Sequence, residues 1–342
     1  MAQFLLGLTL QELGEVCTSL GMKRFVASQL ADWLYKKKVR SIEEMTNLSK
    51  DNRARLSELY EVGHIAPAEV LTSRDGTRKY AFEAVAPGQY IESVMIPDRD
   101  RATLCVSSQA GCKMGCKFCM TGRQGFHGNL TAREIIAQFM DIDGSEALTN
   151  AVFMGMGEPL DNWDNVRKAI EILTADWGFG WSPKRITLST IGDMATLKDF
   201  LDTTQCHLAV SLHNPFHAER LELMPVENRY PLEDVLKLVR QYDFTGQRRV
   251  TFEYIVFAGM NDTKRHSDAL ARLLRGLECR VNLIRFHKIP DSPFTSGSDA
   301  LVEQFQKRLE AAGINALVRA SRGEDIMAAC GLLAGKNSNR LQ

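Results

Sequence analysis

Three cysteines, Cys112, Cys116 and Cys119, fall within one short stretch, Cys112-Lys113-Met114-Gly115-Cys116-Lys117-Phe118-Cys119. Thiolates are soft metal ligands, and a C-x3-C-x2-C spacing lets three of them from one loop converge on one centre. A closed structural zinc site takes four protein ligands. Three ligands leave one metal position open, and an open position is where a substrate binds. The spacing alone is compatible with a metal centre of that open kind. It is also compatible with a structural zinc loop completed by a distant Cys or His.

Other residues with chemistry follow apolar runs further along. Gly155-Met156-Gly157-Glu158-Pro159 lies after one such run. Its glycines let backbone approach a ligand closely, and Glu158 can accept hydrogen bonds from an ammonium. Ser189-Thr190-Ile191-Gly192 and Ser211-Leu212-His213-Asn214 lie after two more, with hydroxyls and an imidazole suited to a ribose or a carboxylate. Each taken singly reads equally well as a tight turn or a cap. Four polar loops at one edge, counting the cysteine loop, are harder to dismiss.

An edge of that kind requires a particular arrangement of elements. From Ala102 onward the chain alternates strand-like and helix-like segments, with apolar runs at 104–107, 151–154, 185–188, 207–211, 251–257 and 280–284. Each run is followed by a segment long enough for a helical crossover. Six such units predict an α/β fold, a partial (β/α)6 barrel whose reacting groups lie in the loops after the strands. A doubly wound open sheet has the same periodicity. Thr131-Ala132-Arg133-Glu134 predicts a capping box at the start of the helix after the cysteine loop. Residues 101–336 form this expected core domain. Residues 61–100 read as a β extension, with alternating stretches around Tyr80 and Glu92 and turns at Asp75-Gly76 and Pro87-Gly88. Residues 1–60 read as a small helical domain, opened by a second capping box at Thr9 and Glu12, with Phe25, Leu30, Trp33, Leu34 and Val39 on a packed stripe. Between Gly21 and Arg55 nine Lys or Arg face four acids, a net +5. That excess is either a solvated helical face or a grip on RNA phosphates. Residues 337–342 read as a polar tail.

The composition is that of a globular protein: 342 residues, 44% hydrophobic, 25% charged and a formal net charge of zero. Zero net charge disfavours indiscriminate polyanion binding but leaves room for local patches. No apolar run is long enough for a membrane span, and Met1-Ala2-Gln3-Phe4-Leu5-Leu6 is too short and uncharged for a signal peptide. Eight cysteines, three in a metal-type loop, point to a reducing compartment and a cytoplasmic location. Cys17, Cys206 and Cys279 read as packing residues.

Taken in order, the motifs become specific. They are Cys112-x3-Cys116-x2-Cys119, with the aromatic Phe118 before the last cysteine, Phe153-Met154-Gly155-Met156-Gly157-Glu158-Pro159-Leu160, Leu188-Ser189-Thr190, Ser211-Leu212-His213 and Asp325-Ile326-Met327-Ala328-Ala329-Cys330-Gly331. This set resembles the RlmN family over nearly the whole chain, including the helical N-terminal module. That family comprises radical S-adenosylmethionine (SAM) methyltransferases acting on adenine C2, in the peptidyl-transferase centre of 23S rRNA and 3′ of the anticodon in tRNA. The resemblance implies a 4Fe–4S cluster on Cys112, Cys116 and Cys119, with the fourth iron chelating the amino and carboxylate groups of SAM. It implies further SAM contacts from Gly157, Glu158, Ser189, Ser211, Leu212 and His213. His287, in Asn282-Leu283-Ile284-Arg285-Phe286-His287, replaces the family's usual amide, and its ring nitrogen can still donate or accept.

The resemblance also implies roles for Cys105, Cys330 and Glu92. Cys330 would take a methyl group from one SAM by displacement. A second SAM, cleaved reductively, yields a 5′-deoxyadenosyl radical that removes hydrogen from that methyl, and the carbon radical adds to adenine C2. Cys105 then attacks the Cys330 sulfur, and disulfide formation releases the product. Glu92 matches the position of the base that removes the C2 proton, although its strand pattern predicts an exposed side chain. Adenine C2 is electron-poor, so the cofactor performs the hard step and the protein positions it. The target base must be unstacked, and a flavodoxin or ferredoxin would donate the electron. A Cfr-type methyltransferase acting on adenine C8 shares the motif set, but the stretch from Ile96 to Cys105 looks closer to RlmN. A zinc-stabilised RNA-binding protein without catalysis is the alternative from another class.

Overall fold

The computed structural model describes residues 3–335; the tail expected at 337–342 lies outside the described residues. Ten strands form one sheet: β1 (Glu69–Thr72), β2 (Arg78–Glu83), β3 (Tyr90–Asp98), β4 (Arg101–Cys105), β5 (Asn150–Phe153), β6 (Ile186–Thr190), β7 (His207–Ser211), β8 (Val250–Val256), β9 (Arg280–Arg285) and β10 (Asn315–Val318). They lie side by side in chain order. From β4 to β10 every neighbouring pair is parallel. β1, β2 and β3 pair antiparallel through the Asp75-Gly76 and Pro87-Gly88 turns, within the stretch 61–100, and β3 pairs antiparallel with β4. The six expected units are present, each strand placed within a few residues of its apolar run. A seventh parallel strand, β10, ends the row; the sequence reading missed it.

A helix crosses over after each of the first six parallel strands: Ala132–Met140, Trp163–Thr174, Met194–Thr203, Leu232–Val239, Lys264–Leu274 and Asp299–Ala311. Their apolar faces explain the packing. In Ala132–Met140, for example, Ile135, Ile136 and Phe139 are fully buried, and the predicted Thr131 capping box closes its first turn. Residues of β4 and of β10, the two ends of the parallel row, line one and the same cavity of about 380 Å³. The row therefore curls around that cavity, as an open barrel does and a flat doubly wound sheet does not.

The N-terminal segment holds helices at Leu10–Ser19, Val26–Ala31 and Lys50–Leu59, with a two-residue strand Gln3–Phe4 paired to Tyr60–Glu61. The Thr9 capping box forms as expected. Of the predicted stripe, Leu30, Leu34 and Val39 are buried, but Phe25 is 60% exposed. Phe25 stands just ahead of its helix, outside the face that packs. Leu5, Leu13, Leu34 and Leu56 belong to the same apolar cluster as Phe139 and Ile172 of the barrel helices. A hydrogen bond from Arg133 Nε to the Gly63 carbonyl (2.6 Å) and an ion pair between Lys168 and Glu12 (2.5 Å) reinforce this packing.

Candidate active site

Because the strands are parallel, everything that follows their C-terminal ends collects at one edge. β4 leads through the short strand Gln109–Gly111 into the cysteine loop. Gly111 has φ +75°, and a Cβ there would stand 1.9 Å from the Gly125 carbonyl oxygen, so the loop entrance requires glycine. Cys112 N–H donates to that same carbonyl (2.9 Å), and Cys119 N–H closes a turn onto the Cys116 carbonyl (3.2 Å). All three cysteines are half-buried free thiols. Burial pushes the Cys112 thiol up to about 12, with Glu158, Cys119 and Asp161 adding to it. Burial also pushes Cys116 well up, with Cys119 and Cys112 next. The three sulfurs therefore feel one another, and binding iron is what would relieve them as thiolates.

Among the described residues no three His, Cys, Asp or Glu side chains gather tightly enough to hold a single metal ion. The donor set fits a cluster: three soft thiolates from one loop would hold three irons and leave one metal position open. Phe118, Ile191, Leu223, Met224, Phe257 and Leu332 form an apolar shell around the loop. Arg220, missed in the sequence, is fully buried and ion-paired with Glu227. Its guanidinium bonds the carbonyls of Leu212 (2.9 Å) and Ser211 (2.7 Å). Burial lowers it to about 10, with the nearby Cys116 pulling the other way. It is the one cation buried beside the loop's sulfurs among the described residues, and nothing in its helical sequence context announced this.

The other expected residues occupy the next loops of the edge. Gly157 (φ +97°) sits where a Cβ would meet Gln109 at 2.5 Å. Glu158 is buried: its N–H donates to Gln109 Oε1 (2.9 Å), and its carboxylate accepts from Leu160 N–H (3.2 Å) and Ile191 N–H (3.0 Å). Burial nonetheless pushes its carboxyl up to about 7. Ser189 is half-buried within β6, and Ser211 ends β7. Leu212 is fully buried and donates its N–H to the Glu253 carbonyl (3.0 Å). His213 has φ +56°; its Nδ1 accepts from Ile255 N–H (3.1 Å), and its ring meets Phe118 edge-on at 4.8 Å.

The cavity brings Cys105, Cys119, His287 and Cys330 onto one wall system, together with Glu253, Arg101, Arg319 and Arg322. Cys105 and Cys330 are both free thiols. Burial pushes Cys105 up to about 12, with Cys330 the next cause. Cys330 is exposed to the cavity although protein surrounds it. His287 Nε2 pairs with Ser321 Oγ (3.2 Å), and burial lowers its imidazole. Glu253 is buried, and both of its side-chain bonds, from Asn282 Nδ2 (2.8 Å) and Thr251 Oγ1 (2.9 Å), fall on Oε1.

Cys330 rides on a strap, residues 323–334, stapled at both sides. On one side Asp75 accepts from Gly323 N–H (3.0 Å), and Asp325 accepts from Ser73 Oγ (2.5 Å). On the other side Gly331 O accepts from Met120 N–H (2.8 Å), and Leu333 O accepts from Thr121 Oγ1 (2.7 Å). Glu92 corrects the expectation of an exposed residue. It is 3% exposed, its Oε1 pairs with Lys79 Nζ (3.0 Å), and its Oε2 accepts from Ala334 N–H (2.8 Å). The strap and the neighbouring strand cover what alternation alone placed in solvent. Through Ala334, Glu92 is tied to the strap four residues past Cys330.

Comparison with known proteins agrees with this geometry. Residues 106–270 match the Radical SAM superfamily, and residues 4–62 match the ribosomal RNA large subunit methyltransferase N-terminal domain. A relative carrying the RlmN name in Porphyromonas gingivalis is 56% identical over 96% of this chain and 96% of its own. The dual-specificity RNA methyltransferase RlmN of Syntrophus aciditrophicus is 44% identical over 96% of this chain and 95% of its own. A crystal structure of a radical SAM methyltransferase from Sphaerobacter thermophilus superposes with a TM-score of 0.90 at 40% identity, covering 98% of this chain and 100% of that one. With both halves matched and the identity sustained end to end, the chain belongs to the RlmN family of radical SAM dual-specificity RNA methyltransferases, enzymes that use a 4Fe–4S cluster and SAM.

Proposed function

We propose that this methyltransferase modifies C2 of adenine in 23S rRNA and in tRNA, and does so through a methyl group carried on Cys330. The observation that carries the reading is the meeting of Cys105 and Cys330, far apart in the chain, on the cavity that Cys119 of the metal loop also borders. Cys112, Cys116 and Cys119 would hold the cluster, and the loops at Gly157, Glu158, Ser189, Ser211, Leu212, His213 and His287 would hold SAM. Each Glu158 oxygen, already bonded to backbone, keeps a lone pair for the SAM ammonium. When bound, cluster and SAM supply the one-electron chemistry that activates the methyl carbon, the electron coming from a flavodoxin or ferredoxin.

The chain's own residues do the rest. Cys330 loses its thiol proton, and its sulfur would take the methyl group from one SAM as the sulfonium–methyl bond breaks and S-adenosylhomocysteine leaves. Glu92 accepts the adenine C2 proton after the carbon is joined, and the unpaired electron left on the linked base would return to the one-electron centre that Cys112, Cys116 and Cys119 would hold. Cys105 sulfur then bonds to Cys330 sulfur as the Cys330 sulfur–carbon bond breaks. The electron pair leaves with carbon, which takes a proton to complete the methyl group, and a thiol reductant later restores both cysteines. Arg101, Arg319 and Arg322 at the cavity suit RNA phosphate, having no carboxylate partner among the described residues.

Reconstituted enzyme with SAM, reductant and RNA tests this. Cys330→Ala is expected to give neither product nor adduct. Cys105→Ala is expected to accumulate a nuclease-sensitive protein–RNA band on a denaturing gel, and the double variant to behave like Cys330→Ala. Digestion of the parent's product is expected to yield 2-methyladenosine. Normal turnover of Cys105→Ala, or an 8-methyl product, overturns the reading.

A further inference from the structure

The ion pair between Lys79 and Glu92 has no counterpart among the motif residues. Lys79 Nζ lies 3.0 Å from Glu92 Oε1, with side chains 9% and 3% exposed. In the β2–β3 register Lys79 faces Val94 and Ala81 faces Glu92, so the pair is diagonal across neighbouring strands. Burying two opposite charges gains little stability, because desolvation consumes most of their attraction. Two apolar side chains would pack the site as well. The pair is instead wired to the strap. Lys79 Nζ also donates to the Met327 carbonyl (3.4 Å), and Glu92 Oε2 accepts from Ala334 N–H (2.8 Å). Cys330 lies between these two attachment points.

We propose that Lys79 is a positioning residue for Glu92. Its ammonium fixes one carboxylate oxygen where water is excluded, while the strap fixes the other. The carboxylate is thereby held at a set place relative to Cys330. When the C2–H bond of the linked adenine breaks, the proton passes to Glu92 and the bonding electrons stay with the adenine. This rests on the reading of Glu92 as the base.

The test uses full-length reconstituted enzyme carrying Lys79→Met, Lys79→Gln, Lys79→Arg or Glu92→Gln. Cys330 methylation is read by mass spectrometry of its peptide, the protein–RNA adduct on a denaturing gel, and product by nucleoside digestion. Glu92→Gln is expected to stall as the adduct. Lys79→Met and Lys79→Gln are expected to methylate Cys330 as the parent does, to stall as the same adduct, and to make product roughly 10- to 100-fold more slowly, a fraction of what a general base contributes. Lys79→Arg, which keeps the charge, is expected to recover most of the turnover. Should Lys79→Met fail to fold, Lys79→Gln carries the comparison, since it keeps a polar donor on a shorter side chain and removes the charge. If Glu92→Gln stalls while Lys79→Gln turns over normally, the inference is wrong. It is equally wrong if Lys79→Gln loses Cys330 methylation along with product, the mark of a purely structural role. Normal turnover of Glu92→Gln removes the base assignment itself.

Discussion

His213 accepts a hydrogen bond from Ile255 N–H at Nδ1, a bond that only an unprotonated nitrogen can take. Burial, with the Arg220 charge behind it, holds the imidazole down to about 3. In the unfolded chain it titrates near 6.5. Between these values the unfolded chain binds a proton that the folded chain refuses. Its contribution is therefore complete above about pH 6.5 and is lost as pH falls toward 3. His213→Gln keeps an acceptor for Ile255 and removes the titration. Urea unfolding between about pH 7 and pH 4.5 is expected to show the parent losing up to ~1.4 kcal/mol per pH unit more than the variant. Equal slopes would mean that the imidazole charges inside the folded protein. His213 was visible in the sequence because Ser211-Leu212-His213 follows an apolar run. Glu92 was visible as a motif position but misplaced, since strand alternation says which residues share a face and not what covers that face. The covering comes from residue 334, far along the chain.

The cysteine loop is the element whose chemistry was plainest in advance, because ligand spacing is a local property. Its apolar shell was not legible: Phe257, Leu223 and Leu332 reach it from three separate parts of the chain. The barrel strands were legible where both faces are buried and the run is continuous, as in β8, whose sequence Val-Thr-Phe-Glu-Tyr-Ile-Val buries all but one residue. β10 escaped because it is four residues long and leaves Asn315 and Leu317 exposed, so no apolar run marks it. The loop carries its own prediction. Cys112→Ala, Cys116→Ala and Cys119→Ala each leave one iron without its thiolate. Each is expected to lose most of its bound iron and sulfide after anaerobic reconstitution, along with SAM cleavage, while its circular dichroism stays close to that of the parent. A full cluster with normal SAM cleavage in any one of them would contradict the ligand assignment.

At the scale of the molecule, the N-terminal module and the barrel share one apolar cluster, so deleting the module would uncover the barrel helices. Whether the module grips RNA is better read by charge reversal. Lys23 and Arg24 are exposed and have no carboxylate partner among the described residues, whereas Lys37 and Arg55 are paired with Asp32 and Asp51. Lys23→Glu with Arg24→Glu is expected to weaken RNA binding and to flatten log K against log salt by roughly 0.7–0.9 for each phosphate that is no longer neutralised. An unchanged slope in a filter-binding titration would return both residues to a solvated face. The strap that carries Cys330 has a consequence of another kind, in the order of synthesis. The ribosome makes the β extension, the cysteine loop and most of the barrel before it makes residue 330, so Ser73, Asp75, Met120 and Thr121, which hold the strap, all precede it in the chain. A chain cut short between Cys119 and Cys330 keeps the cysteine loop but lacks the thiol to which the proposed mechanism gives the methyl group. On that reading, truncation there is expected to leave a protein that holds iron and transfers no methyl group.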